Sequence, residues 1–365
     1  MLPMPLIGIE EPLFAVWAVA VYFFIYLGDF AVVFPVHVFL TIALFIIVPL
    51  IFTRLDWIGF ERHRFLWPLR FTPLAAFPAF IALILHGGEW PAEIRTSFAI
   101  PWLIFTAYAG IVGLLSLRMA RTPHRVAAAL SLIMLAGGGV WFMIACAGWP
   151  VLPFTPQMVL LTATHFHYAG FATLALVAMQ ERFVASQALA RVAMPKKELD
   201  ACLRGHDGRK TTLWPWIIIT LTAGGFTLVA MGITFSRTLE LVGATCMSLG
   251  LLVHVTRTLF IVVPRLRMFA VRHAGARDAT PPALPRLRGS VAPVLLTLSS
   301  FSILAGMALA VYYAVGRAFD AGTIALDAML DVHAPLNAIG FALCGVLGWR
   351  FARHHNRMAN DSGLL

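Results

Sequence analysis

The chain has 365 residues, 60% of them hydrophobic and only 12% charged, with a mean hydropathy of +0.85. A soluble domain carries about 25% charged residues, so a water-soluble globular fold is excluded and an all-α polytopic membrane protein is expected. The formal charge of +10 raises the question of nucleic acid. The basic loops lack the aromatic interleaving that single-stranded nucleic acid requires, so no nucleic-acid partner is expected and the partner is the lipid bilayer.

Apolar stretches of about 18–25 residues predict about ten transmembrane helices in a single domain covering residues 1–365. They run at 11–28, 32–53, 69–87, 97–118, 125–147, 157–181, 213–235, 240–264, 290–316 and 326–350. Residues 1–11 hold no Lys or Arg, so the first span lacks the basic lead of a cleavable signal peptide and is expected to be retained. The third span is the shortest argument of the ten, being brief and carrying Pro73 and Pro78.

The cations test this division. Of the 27 Lys and Arg residues, Arg95, Arg237 and Arg317 fall in odd-numbered loops and Arg257 within span eight. All the others lie in the loops after spans two, four, six and eight or in the tail after span ten. By the positive-inside rule those loops and both termini are cytoplasmic. Two cytoplasmic loops are long, 182–212 and 265–289; the first reads as polar linker and the second as Pro-rich and flexible. The four cysteines, Cys146, Cys202, Cys246 and Cys344, have no CxxC spacing and argue against a disulfide framework or a zinc ribbon.

Orientation assigns depth. Span six carries Thr164-His165-Phe166-His167-Tyr168-Ala169-Gly170-Phe171. His165 and His167 lie about 8 and 10 residues in from the outer face, roughly 12–15 Å. His333 and Asn337 fall in the outer half of span ten, His37 near the outer end of span two and His86 near that of span three. Five histidines from four helices thus share the outer half of the membrane, where ionisable groups are costly and face a bundle interior or a cavity. Spans six and ten are expected to touch, bringing His165 or His167 within about 8 Å of His333, the reach of a shared metal or a water-bridged pair.

The candidate catalytic residues are His165, His167 and His333. The candidate metal ligands are these three with His37 and His86. His165 and His167 are two apart, about 200° around a regular helix, so they cannot share one ion unless a π-bulge distorts the helix. The alternative is interhelical packing through hydrogen bonds. His333 and Asn337 share a face, with Pro335 between them freeing a backbone carbonyl. Asp331 or Asp327 is a candidate to orient His333, with Asp327 read as solvated.

Asn337, Tyr168, His254 and Arg257 are the candidate cofactor-binding residues. His254 and Arg257 share a face deeper in span eight. Arg257 is read either as snorkelling to the cytoplasm or as a clamp for a substrate carboxylate, a haem propionate or a lipid phosphate. Glu240 begins that span at the outer face. Trp102, Trp141, Trp149, Trp214 and Trp216 lie near predicted span ends and read as interface anchors. No GxGxxG, Walker, HExxH or nucleophile-elbow motif is present.

The span-six segment above and His333-Ala334-Pro335-Leu336-Asn337-Ala338-Ile339-Gly340-Phe341 resemble the YndJ-like family of bacterial integral membrane proteins. That resemblance implies a multi-span protein of the bacterial inner membrane, in a family sometimes labelled a transporter. A histidine followed by a polar amide and Gly-Phe also resembles membrane haem–copper proteins, although the spans lack their adjacent histidines and their paired histidines four apart. Three functional classes stay open. One is a redox enzyme using iron, copper or zinc, or haem, on a lipophilic or small-molecule substrate. Another is a proton-coupled transporter with histidine carriers, against which stands the near absence of Asp and Glu from span centres. The third is a non-catalytic assembly protein.

Overall fold

A computed structural model describes residues 35–53, 67–88, 90–192, 213–268, 283–322 and 324–361. Every regular element among them is helical. Seven helices are long and apolar enough to cross a membrane. In chain order with two shorter apolar helices, they are α1 (Val36–Phe52), α2 (Thr72–His86), α3 (Ala92–Met119), α4 (Pro123–Ala147), α5 (Pro156–Gln187), α6 (Leu213–Phe235), α7 (Arg237–Met268), α8 (Val291–Ala318) and α9 (Leu326–Ala352). These coincide with the second to tenth expected spans; the first, at 11–28, lies outside the described residues. The loops expected at 182–212 and 265–289 are partly helical. Helix continues to Val192 after α5 and starts again at Ala283 before α8, with Pro285 tolerated in its first turn.

Local chemistry sets the helix starts. Thr155 caps α5, its hydroxyl accepting from the Met158 N–H at 3.3 Å, with Pro156 in the first turn. The hairpin of α6 and α7 turns on Ser236 alone. Its two helices touch backbone to backbone: a Cβ on Gly225 would lie 2.5 Å from the Met247 nitrogen, and one on Gly243 2.5 Å from that of Val229. Gly232 and Gly250 extend the same seam, the small-residue contact that packs helices closely in lipid. Beside the turn of this hairpin, Arg317 pairs with Glu240 at 2.8 Å, and Arg237 pairs with Asp320. Glu240 is thus buried in an ion pair, a partner that sequence reasoning did not identify.

Four helices widen into π turns: Ala43–Ile47 in α1, Phe166–Ala172 in α5, Thr258–Val262 in α7 and Leu336–Leu343 in α9. Proline explains two of them, since its ring crowds the carbonyl four residues back and removes a donor. Pro49 and Pro264 crowd Phe45 and Phe260, which sit inside the first and third wide turns, and Pro335 immediately precedes the fourth. The second holds Gly170 and no proline. Three of them hold or adjoin a polar residue singled out above: His167 in α5, Arg257 in α7 and Asn337 in α9, in keeping with the tendency of π-bulges to mark functional places.

The described helices fall into two compact units. Among the described residues, unit 1 takes those within 35–112 and 132–168, and unit 2 those within 113–131 and 169–361. Unit 1 therefore contains α1, α2, most of α3 and α4 and the start of α5. Its interior is aromatic, with Phe45 edge-on to Phe80 and Trp102 stacked on Phe105. Unit 2 contains the rest of α5 and all of α6 to α9. Within it, α5 and α9 touch towards their C-terminal ends, Phe183 lying 5.5 Å from Trp349 between ring centroids.

Candidate functional site

Polar side chains gather at four places, two in each unit. In unit 1, His167 is fully buried at the start of the α5 wide turn. Its Nδ1 lies 2.7 Å from the Ala163 carbonyl, which can only accept, so Nδ1 carries the proton and Nε2 the lone pair. That lone pair receives the Trp102 indole N–H at 3.3 Å, and the two rings stack with centroids 5.8 Å apart. Both nitrogens of His167 are therefore engaged. Trp102 itself is fully buried rather than at a membrane interface. Its helix begins at Ala92, earlier than the expected 97, which places the indole well inside the span.

Three glycines on α4 make room for this arrangement. A Cβ on Gly138 would lie 2.7 Å from the His167 ring, and one on Gly137 2.5 Å from the Phe166 ring, while Gly139 meets Thr106. His165 is half-buried, its Nδ1 3.0 Å from the Leu161 carbonyl. Despite the wide turn, His165 and His167 thus bond to different carbonyls. The Tyr168 hydroxyl donates to the Phe39 carbonyl at 2.8 Å, tying α5 to α1.

The second place in unit 1 joins His37 of α1 and His86 at the end of α2. His37 Nε2 and His86 Nδ1 are 3.4 Å apart. Of the five candidate metal ligands, these are the two whose ring nitrogens face one another.

In unit 2, His333 is buried and its Nδ1–H donates to the Gly306 carbonyl at 2.9 Å. Its Nε2 accepts from the Asn337 amide at 2.7 Å, so the expected shared face of these two residues is present. The absence of a side chain at Gly306 lets its carbonyl and the Asn337 amide come close: a Cβ there would lie 2.7 Å from Asn337 Oδ1. Asp331 and Asp327 are exposed, and the carbonyl of Gly306 takes the orienting role considered for them. His165 and His167 belong to unit 1 and His333 to unit 2.

The fourth place is the most polar. Arg257 donates to Glu181 Oε2 at 2.8 Å, and both residues are buried, at 7% and 5% exposure. Arg257 is neither a snorkelling residue nor an open clamp: its partner is a carboxylate at the same depth on α5. Thr258 donates to Gln180 Oε1 at 3.0 Å, and the Gln180 amide reaches the His254 carbonyl at 3.4 Å. His254, also buried, lines a cavity of ≈ 10 Å³, room for about one water. Thr258, Ser299 and Ser300 share that lining. Around this layer three buried polar atoms have no hydrogen-bond partner: His254 Nδ1, Glu181 Oε1 and Arg257 Nε.

Glu181 and Gln180 were not singled out from sequence, because Gln180-Glu181-Arg182 reads as the polar end of span six. The available signal was charge balance, an inner-depth Arg257 on one span and a carboxylate at the inner end of another. Among the described residues no group of three or more His, Cys, Asp or Glu is placed to hold one metal ion. Cys146, Cys246 and Cys344 are free thiols, and Cys202 lies outside the described residues.

Comparison with known proteins places these features in a family. The chain is 27% identical over 281 residues to the uncharacterised membrane protein YndJ of Bacillus subtilis (strain 168), a match covering 76% of this chain and 41% of the relative. The chain thus spans about two-fifths of that relative's length. No solved structure matches. The family model described as YndJ-like protein matches residues 38–341, a stretch that includes both histidine segments from which the resemblance was drawn. The chain belongs to the YndJ-like family of membrane proteins.

Proposed function

We propose that this protein is a proton-coupled membrane transporter whose working centre is the Glu181, His254 and Arg257 layer of unit 2. One observation carries the reading: three unpartnered polar atoms surround a buried ion pair, beside a cavity lined by His254. A buried ion pair is weak support for stability, since apolar residues of similar volume do as well or better. Intramembrane ionisable groups that pair with one another mark ion pathways and proton relays. Glu181 and His254 each accept and release a proton, and Arg257 holds the carboxylate in place. The near absence of acidic residues from span centres weighs against transport; Glu181, towards the end of its helix, is nevertheless a buried carboxylate.

A pH jump applied to protein on a supported membrane should produce a transient charge displacement without any added substrate. E181Q and H254A should each abolish it, while H165A should retain it. No transient in the wild type, or the same transient in both variants, would overturn the reading and leave an assembly role. A metal- or haem-dependent oxidoreductase is the weaker alternative, because both nitrogens of His167 and of His333 are held by protein groups.

The same proposal includes ten spans in the bacterial inner membrane with both termini cytoplasmic. It rests on the asymmetry of Lys and Arg between loops. Reporter fusions at Arg95 and Arg204 should report opposite compartments; a shared compartment would refute the topology.

A further inference from the structure

Beyond any transport function, we propose that His37 and His86 form a two-histidine site for a divalent transition-metal ion. The nitrogens facing each other, Nε2 of His37 and Nδ1 of His86, are 3.4 Å apart. That spacing fits a long hydrogen bond, like the 3.3 Å contact of Trp102 with His167, and it is also the separation of two imidazole ligands on one ion. Zn–N bonds of about 2.0–2.1 Å at a tetrahedral angle place the two nitrogens about 3.3–3.4 Å apart.

The rings are tilted by 48° rather than stacked, with centroids 5.5 Å apart. They come from separate helices, His37 in the first turn of α1 and His86 as the last residue of α2. Each contributes a neutral imidazole, with the proton on the ring nitrogen turned away from the ion. No third His, Cys, Asp or Glu joins them among the described residues, so the pair supplies two of the ion's ligands. Imidazole donors suit Zn²⁺, Cu²⁺ and Ni²⁺ and disfavour Mg²⁺ and Ca²⁺. On the topology proposed above, the pair lies at the outer side of the membrane.

The test uses the full chain in detergent, purified without a polyhistidine tag, with His354 and His355 replaced by Ala to remove the paired histidines of the tail. Zn²⁺ titration should saturate at one ion per chain, and bound Cu²⁺ should show nitrogen hyperfine splitting from two imidazoles. H37A and H86A should each lose the saturable binding and the two-nitrogen signal. His86 ends its helix and is only half-buried, so H86A keeps the test decisive if H37A fails to fold; an unchanged metal-free melting temperature shows that it has folded. Saturable binding that persists in H86A, or none in the parent protein, would leave the pair as a long hydrogen bond and overturn the site.

Discussion

R257A should destabilise the protein by about 3–5 kcal/mol, the cost of leaving a buried charge without its partner. Glu181 is 5% exposed and pairs with the Arg257 guanidinium at 2.8 Å. Without Arg257 the carboxylate must take up a proton or draw water into the interior. The double substitution E181M/R257M removes both charges and keeps the volume, so it should recover most of the lost stability. It should not recover the pH-jump signal, which separates the structural part of the pair from the functional part. R257K keeps the charge but loses the planar fork, and should fall between wild type and R257A. Unfolding by sodium dodecyl sulfate titration in mixed micelles measures all three. An R257A variant as stable as wild type would mean that Glu181 has another route to solvation, and the buried layer would lose its significance.

W102A should cost about 3–5 kcal/mol by the same assay, the range for emptying a fully buried aromatic position. Two losses add at this site. The indole volume becomes a cavity in unit 1, and His167 Nε2 loses the N–H that meets its lone pair at 3.3 Å. W102F separates them. It retains most of the packing against Phe105 and orphans the acceptor, for about 1–3 kcal/mol. If W102A changed stability by less than about 1 kcal/mol, the indole would have to sit at the lipid boundary, as the sequence first suggested. The fully buried position of Trp102 predicts the larger effect.

The span pattern was legible in the sequence because length and apolarity alone decide it. The run at 125–147 became α4 with little change, while that at 97–118 became α3 with an earlier start. Pro335 and the His333/Asn337 spacing were equally readable, since both depend on neighbours within one helix. What failed was lateral information. Nothing in the periodicity of span eight says that Arg257 faces Glu181, because the two are 76 positions apart and meet only through tertiary packing. Trp102 was misread because a five-residue error in the start of α3 moved it from interior to edge. The roles of His167 and His333 were hidden for a different reason. Whether an imidazole nitrogen is free to bind a ligand depends on the carbonyl opposite it, here Ala163 and Gly306, and backbone acceptors leave no trace in composition.

The four wide turns also change how any position-by-position survey of this protein must be phased. A π turn closes on the fifth residue rather than the fourth, so it admits an extra residue. Each residue of an ordinary helix advances the side-chain direction by about 100°. In α5, the positions up to His165 and those from Thr173 onwards therefore belong to two helical wheels offset from one another. A single wheel drawn across Pro156–Gln187 would assign lipid-facing and interior faces correctly on one side of Gly170 and rotate them on the other. Accessibility labelling or substitution tolerance along this span reads as two short waves with a phase slip at Phe166–Ala172, and α1, α7 and α9 carry the same kind of slip at their own wide turns.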